Sequence, residues 1–212
     1  MKKFGIGCGI LAAIGGVILI FVLIAGGSYN RLVGLSQTVD KEWAQVQNVY
    51  QRRADLVPNL VSTVSGAANF EKSTITEVTA ARASVGQVKV NAGSAPSDPA
   101  TLAEFEKAQT GLSSALSRLM VVVERYPDLK ATSNFQSLQA QLEGTENRIS
   151  VARGRFNTAV QAYNTAVKSF PTVFYAGILG FREKPYFQAT AGAETAPKVE
   201  FDFNKNSAPA PR

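Results

Sequence analysis

The chain has 212 residues, enough for one domain with a sizeable core plus an N-terminal extension. Its net charge is +6, but setting Lys2 and Lys3 aside leaves 20 of the 22 Lys/Arg against 16 Asp/Glu, interspersed rather than clustered, so no basic stripe marks a nucleic-acid surface and no nucleic-acid partner is expected. The absence of histidine excludes Ser-His-Asp and Cys-His nucleophiles and every His-containing zinc site, and the single cysteine, Cys8, excludes an internal disulfide.

From Phe4 to Asn30 no residue is charged. A helix needs about 20 apolar residues to cross about 30 Å of hydrocarbon, and a signal-peptide core is only about 7–15 long, so the run predicts a transmembrane anchor over 1–30 that meets membrane lipid through residues 4–29. Lys2, Lys3 and the amino terminus place the N-terminus in the cytoplasm and the remainder outside a bacterial plasma membrane, as a single-pass protein. Two alternatives stay open: cleavage at Ala25-Gly26-Gly27, and lipidation of Cys8, which has only a short lead and no apolar core upstream. Small residues at four-residue spacing, Gly5-Gly9-Ala13 and Cys8-Ala12-Gly16, give a face that lets membrane helices approach closely, with Gly5, Gly9, Ala12 and Gly16 as the packing residues, although glycine is common in such helices in any case.

Helical periodicity governs the rest of the chain. Leu32, Leu35, Val39, Trp43, Val46, Val49, Arg53, Leu56, Leu60 and Val64 recur at steps of three and four, an amphipathic face over about 31–68. Pro58 interrupts it and predicts a kink, not a stop. Gly66–Asn69 is the expected stop, with Asn69 capping a second helix over 70–87. After a Gly/Ser/Pro-rich loop, Asp98-Pro99 starts a third helix, ending at Tyr126-Pro127. Ser133 with Gln136 reads as a capping box for a fourth helix over 133–170, which Phe170-Pro171 ends. The fold class expected is all-α: a transmembrane helix followed by an up-down four-helix bundle over 31–171 and an irregular C-terminal tail. At 1.5 Å per residue the first and last bundle helices are each about 57 Å long and match as paired staves.

An even number of helices returns the chain toward the membrane at Pro171. There 172–187 carries VFYAGILGF (Val173–Phe181), too short to span a bilayer. It is expected to close the near end of the bundle, with an interfacial seat through Phe174, Tyr175 and Phe181 as the alternative. Residues 188–212 read as an extended, partly disordered tail, with a short strand or arm at Lys198–Phe203.

Several stretches together resemble the LemA family of bacterial membrane proteins: YNRLVGL (Tyr29–Leu35), RRADLVPNLV (Arg52–Val61), GAANFEK (Gly66–Lys72), ERYPDLKA (Glu124–Ala131), FQSLQAQLEGTENRI (Phe135–Ile149), RFNTAVQAYN (Arg155–Asn164), and Gly180-Phe181 followed by KPYF (Lys184–Phe187). They run in the family's order. The resemblance implies an N-terminal membrane helix and a helical bundle, and it implies no established reaction.

Three charges fall where the apolar pattern expects hydrophobic residues: Arg53, Glu146 and Arg153. A buried charge needs a partner, so Arg53 is expected to pair with Glu146 and Arg153 to join them, as a device that fixes helix register, with a functional polar site inside the bundle as the alternative. Arg52 and Asp55 suit an i,i+3 surface pair; with Asn59 and Pro58 beside them they are also a candidate partner epitope. Asn157 and Asn164 suit donation between helices or a turn. Glu143/Glu146 and Glu104/Glu106 are carboxylate pairs, but a narrow bundle offers no cleft across which two carboxylates face each other. No cofactor, no metal and no enzymatic activity are expected. The chain reads as a scaffold or adaptor that self-associates, with a regulatory subunit of a membrane protease or transporter, or a membrane-surface organiser, as alternatives.

Overall fold

In the computed structural model α1 runs unbroken from Lys2 to Ser65. Residues 2–66, 70–88 and 93–188 are described, and within the N-terminal apolar run only the side chains at 15, 16, 19, 23 and from 26 onward. α2 (Lys72–Gln87), α3 (Pro99–Val123), a four-residue α4 (Pro127–Lys130) and α5 (Ser133–Lys168) come next, then a short 3-10 turn at Thr172–Phe174. Among the described residues all regular structure is helical, with no strand. Also among them, no helix is long and apolar enough to cross a membrane. The side-chain surroundings of Gly5, Gly9 and Ala12, the Asn69 cap and the tail with Lys198–Phe203 lie outside what is described. Gly16 is exposed, with no neighbour where a side chain would extend.

The buried positions of α1 include Leu32, Val39, Trp43, Val46, Tyr50, Arg53, Val57, Leu60 and Val64, and those of α5 include Phe135, Leu142, Thr145, Ile149, Ala152, Phe156, Ala159, Tyr163 and Ala166. Both follow alternating steps of three and four (or seven), the 3.5-residue period of a coiled-coil seam. Trp43 packs on Phe156, and Arg53 meets Glu146 one matching interval further along. The two helices therefore run antiparallel in constant register. Leu35 and Val49, expected on the seam, are only half-buried, and Tyr50 takes an inward position instead; Leu56 is buried as expected, with Val57 beside it. The seam thus passes one residue to the side of the simplest apolar alternation at those turns.

α2 and α3 form a second antiparallel pair, tied by Arg118 to Glu77 and by Arg125 to Glu71 (2.8 Å). α3 runs parallel to α1: Phe105 packs on Trp43 and Tyr50, and Gln109 and Ser113 lie opposite Arg53.

Pro58 stays inside α1. It has no N–H to give, so the carbonyl of Ala54 loses its helical partner. Arg82 Nε on α2 donates to that carbonyl at 2.9 Å. The gap left by proline thus becomes a bond between α1 and α2.

The helix starts show how local chemistry sets the boundaries. Asp98 caps α3 by accepting from the backbone N–H groups of Ala100 and Thr101, with Pro99 in the first helical position. The cap of α5 is Thr132, which accepts from Phe135 N–H, so the expected Ser133 box is displaced by one residue. Thr132 also donates to the Leu129 carbonyl and so joins α4 to α5, a bond that Ser133 does not make. Glu71, without a side-chain capping bond, precedes α2. The Ala100 amide first, and then Thr101, hold the Asp98 carboxyl below its usual value. A depressed carboxylate stabilises the fold above its unfolded pKa, and that contribution is lost as pH falls through the folded value. Asp98→Ala, or acidification below the ordinary Asp range, is expected to speed amide exchange at Ala100 and Thr101 while the centre of α3 stays protected.

Candidate functional site

Arg53 is 1% exposed, in the middle of the bundle. Its Nη1 donates to Glu146 Oε1 (2.8 Å) and Ser113 Oγ (2.6 Å). Its Nη2 donates to the Gln109 carbonyl (3.1 Å) and to Gln109 Oε1 (2.5 Å). The guanidinium also lies 5.0 Å from the centre of the Tyr50 ring. Three helices are thereby joined through one side chain. Glu146 is not buried: it is 49% exposed, on the solvent edge of the layer.

This layer divides the core. Toward the N-terminal end of α1 lies one apolar compartment, with Trp43, Tyr50, Phe105, Phe156 and Phe187 at its centre. Beyond Arg53 lies another, built on Leu56, Leu60, Val64, Leu112, Leu119 and Phe135. On α1 the boundary falls between Tyr50 and Leu56, on α3 between Phe105 and Leu112, and on α5 between Leu142 and Ile149. Burial pushes the Tyr50 hydroxyl above its usual pKa, with Arg153 and Arg53 opposing.

Arg153 does not join Arg53. It donates to Glu106 (2.7 Å) and to the Gln188 carbonyl (3.0 Å), and lies over the Phe187 ring at 4.7 Å. It is a third of the way exposed and belongs to a separate cluster. Burial outweighs the Arg153 ion pair and holds the Glu106 carboxyl above its usual range.

Two asparagines on α5 hold the segment C-terminal to it. Asn164 Nδ2 donates to the Lys184 carbonyl and Asn164 Oδ1 accepts from the Lys184 N–H, both at 2.9 Å. Asn157 does the same with Phe187, again at 2.9 Å for both bonds. Seven helical residues rise about 10.5 Å, and three extended residues advance about 10 Å, so the two amides are spaced to clamp Lys184 and Phe187 together. The clamp carries Lys184 Nζ to Asp40 Oδ1 (2.9 Å), an ion pair largely removed from water, and Asp40 also accepts from the Ala95 N–H at 2.9 Å.

The residues proposed as an epitope lie on the outer side of α1. Arg52, Asp55 and Asn59 are all exposed. The expected Arg52–Asp55 pair is absent: Asp55 accepts instead from Gln51 Nε2 at 2.8 Å, one helical turn away. Of the three interfacial candidates only Phe174 faces outward; Tyr175 is buried and Phe181 packs against the core.

The carboxylates do not converge. Glu143 and Glu146 edge a shallow groove with Ser113, Leu116 and Met120. There Glu143 accepts from Gln139 (3.0 Å) and Glu146 is committed to Arg53. Among the described residues no group of three His, Cys, Asp or Glu side chains is placed to hold a metal ion.

The sequence model described as the LemA family matches residues 42–201. The chain is 26% identical over 186 residues to Magnetosome protein MamQ 2 of Paramagnetospirillum magneticum, covering 79% of this chain and 67% of that protein. Magnetosome protein MamQ of Magnetospirillum gryphiswaldense is 25% identical over 186 residues with the same coverage. Protein LemA of Metamycoplasma hominis is 25% identical over 180 residues, covering 82% of this chain and 78% of that protein.

Proposed function

This chain belongs to the LemA family, and from that premise we propose that it is a non-catalytic, single-pass protein of the bacterial plasma membrane. Residues 4–29 anchor it, the N-terminus is cytoplasmic, and the helical bundle outside acts as a scaffold or adaptor, by self-association or by holding a membrane-protein partner. The observation that carries this reading is the continuity of α1. One helix contains both the uncharged run and the seam around which the bundle packs. Leu19 and Leu23 are exposed on it, beyond the bundle, as lipid-facing residues would be. The Arg53 layer then serves to fix register, keeping the exposed Arg52-Asp55-Asn59 face in a constant presentation.

Protease added to intact spheroplasts tests the placement. The bundle should be cut while an N-terminal fragment containing the uncharged run persists. In the same membranes, a photo-crosslinker on Asp55→Cys, in a Cys8→Ala chain, should capture either a second copy or one partner. A bundle protected until the spheroplasts are lysed refutes the orientation. A chain released by carbonate washing refutes the anchor.

A further inference from the structure

We propose that the turn after α5 is a second membrane contact, in which Phe170, Val173, Phe174, Ile178 and Leu179 seat in the lipid interface beside the membrane helix. This rests on the reading of residues 4–29 as an anchor and adds the surface by which the bundle itself meets lipid.

Phe170 is 81% exposed, Phe174 73% and Ile178 85%, with Val173 and Leu179 exposed beside them. Single exposed hydrophobic residues are ordinary, but five large ones within ten residues are not. The turn that presents them is built, not loose. Tyr175 and Ala176 are buried beneath it. Val173 N–H donates to the Ser169 carbonyl (2.9 Å), Ala176 N–H to Thr172 (2.8 Å) and Phe181 N–H to Ala176 (2.9 Å). Phe170 and Phe174 meet edge to face with centroids 5.9 Å apart. Inward residues fix the backbone while outward residues are left uncovered.

Its height along α1 selects the occupant. Phe181, which ends the turn, contacts the Tyr29 ring edge-on at 5.5 Å. Tyr29 is the last aromatic residue of the uncharged run, one residue before its end at Asn30. The patch is therefore level with the point where α1 would leave the hydrocarbon, and at that height the nearest apolar surroundings are lipid. Aromatic residues favour that depth, and the segment is too short to cross. Arg31 and Arg182 are exposed at the same level and suit anionic headgroups. Asn164 and Asn157, by clamping Lys184 and Phe187, hold the C-terminal side of the turn to α5.

The test uses the full chain with Cys8→Ala, reconstituted into phosphatidylcholine–phosphatidylglycerol vesicles. A bimane probe is placed singly at Ile178→Cys, at Leu19→Cys in the uncharged run, or at Val121→Cys near the far end of α3. All three sites are exposed, so the labels leave the core intact. With brominated acyl chains, emission from 178 should fall at least about two-fold while 121 is unchanged. Quenching at 19 but not at 178 overturns the second contact and leaves the anchor standing. Quenching at neither site overturns both. In unlabelled Ile178→Cys chains treated with a thiol oxidant, a disulfide between two copies, together with no quenching of the labelled chain, assigns the patch to a second copy and also overturns the proposal.

Discussion

Arg53→Ala is expected to lower the unfolding free energy by about 3–5 kcal/mol, read as a shift in the denaturant midpoint of the full chain in detergent. The change removes a stem packed among three helices and leaves Gln109, itself buried, without the donor for its carbonyl and side-chain oxygens. The ion pair itself contributes less than its geometry suggests. Glu146→Ala leaves Arg53 charged, but three neutral acceptors remain on Ser113 and Gln109, and the vacated edge is open to water. Its cost should be about 1–3 kcal/mol, between that of a surface pair and a buried one. The informative variant is Arg53→Met with Gln109→Leu, which replaces the polar layer by apolar volume. It should be at least as stable as the parent, because the desolvation of the guanidinium disappears. What should be lost is uniqueness: the near-UV signal of Trp43, packed between Phe105 and Phe156, should weaken. A double variant as unstable as Arg53→Ala, with that signal intact, would show that the layer supplies stability and not register.

Asn164→Leu should cost about 2–4 kcal/mol. Two hydrogen bonds vanish, and the Lys184 N–H and carbonyl are left buried without partners. The damage extends to Asp40, because the position of the Lys184 ammonium depends on its backbone being clamped. Asn157 is less buried, so Asn157→Ala should cost about 1 kcal/mol. Amide exchange at Lys184 separates a local effect from global unfolding: it should accelerate far more than exchange at Phe156 in the centre of α5. Asn164→Asp keeps an acceptor for the Lys184 N–H but loses the donor to its carbonyl, so it should fall between the parent and Asn164→Leu. Unchanged protection at Lys184 in Asn164→Leu would refute the clamp.

The all-helical architecture is legible because its signals are local. Steps of three and four mark the seams, and Asp98-Pro99, Tyr126-Pro127 and Phe170-Pro171 punctuate them within a few residues of where the helices change. The behaviour at Pro58 is not, because the group that rescues the Ala54 carbonyl is Arg82, on another helix. The site divides the same way. Arg53 stands out as a charge on an apolar face, which says that it needs a partner but not how many. Ser113 and Gln109 lie on α3, whose rotation about its own axis is a tertiary matter. The same rotation gives Arg153 to Glu106. Asn157, Asn164 and the Lys184–Asp40 pair carry no periodic signal, since each bonds to backbone or charge in a segment without regular structure.

With residues 4–29 anchored as proposed, the unbroken course of α1 would make the molecule a lever. From residue 30 to Ser65 the helix extends about 50 Å, so a change of about 10° in the inclination of its lower half would carry the upper tip about 9 Å sideways. A bilayer thinner than the uncharged run, accommodated by tilting of that proposed anchor, would thereby be converted into the position of whatever the far end of the bundle holds.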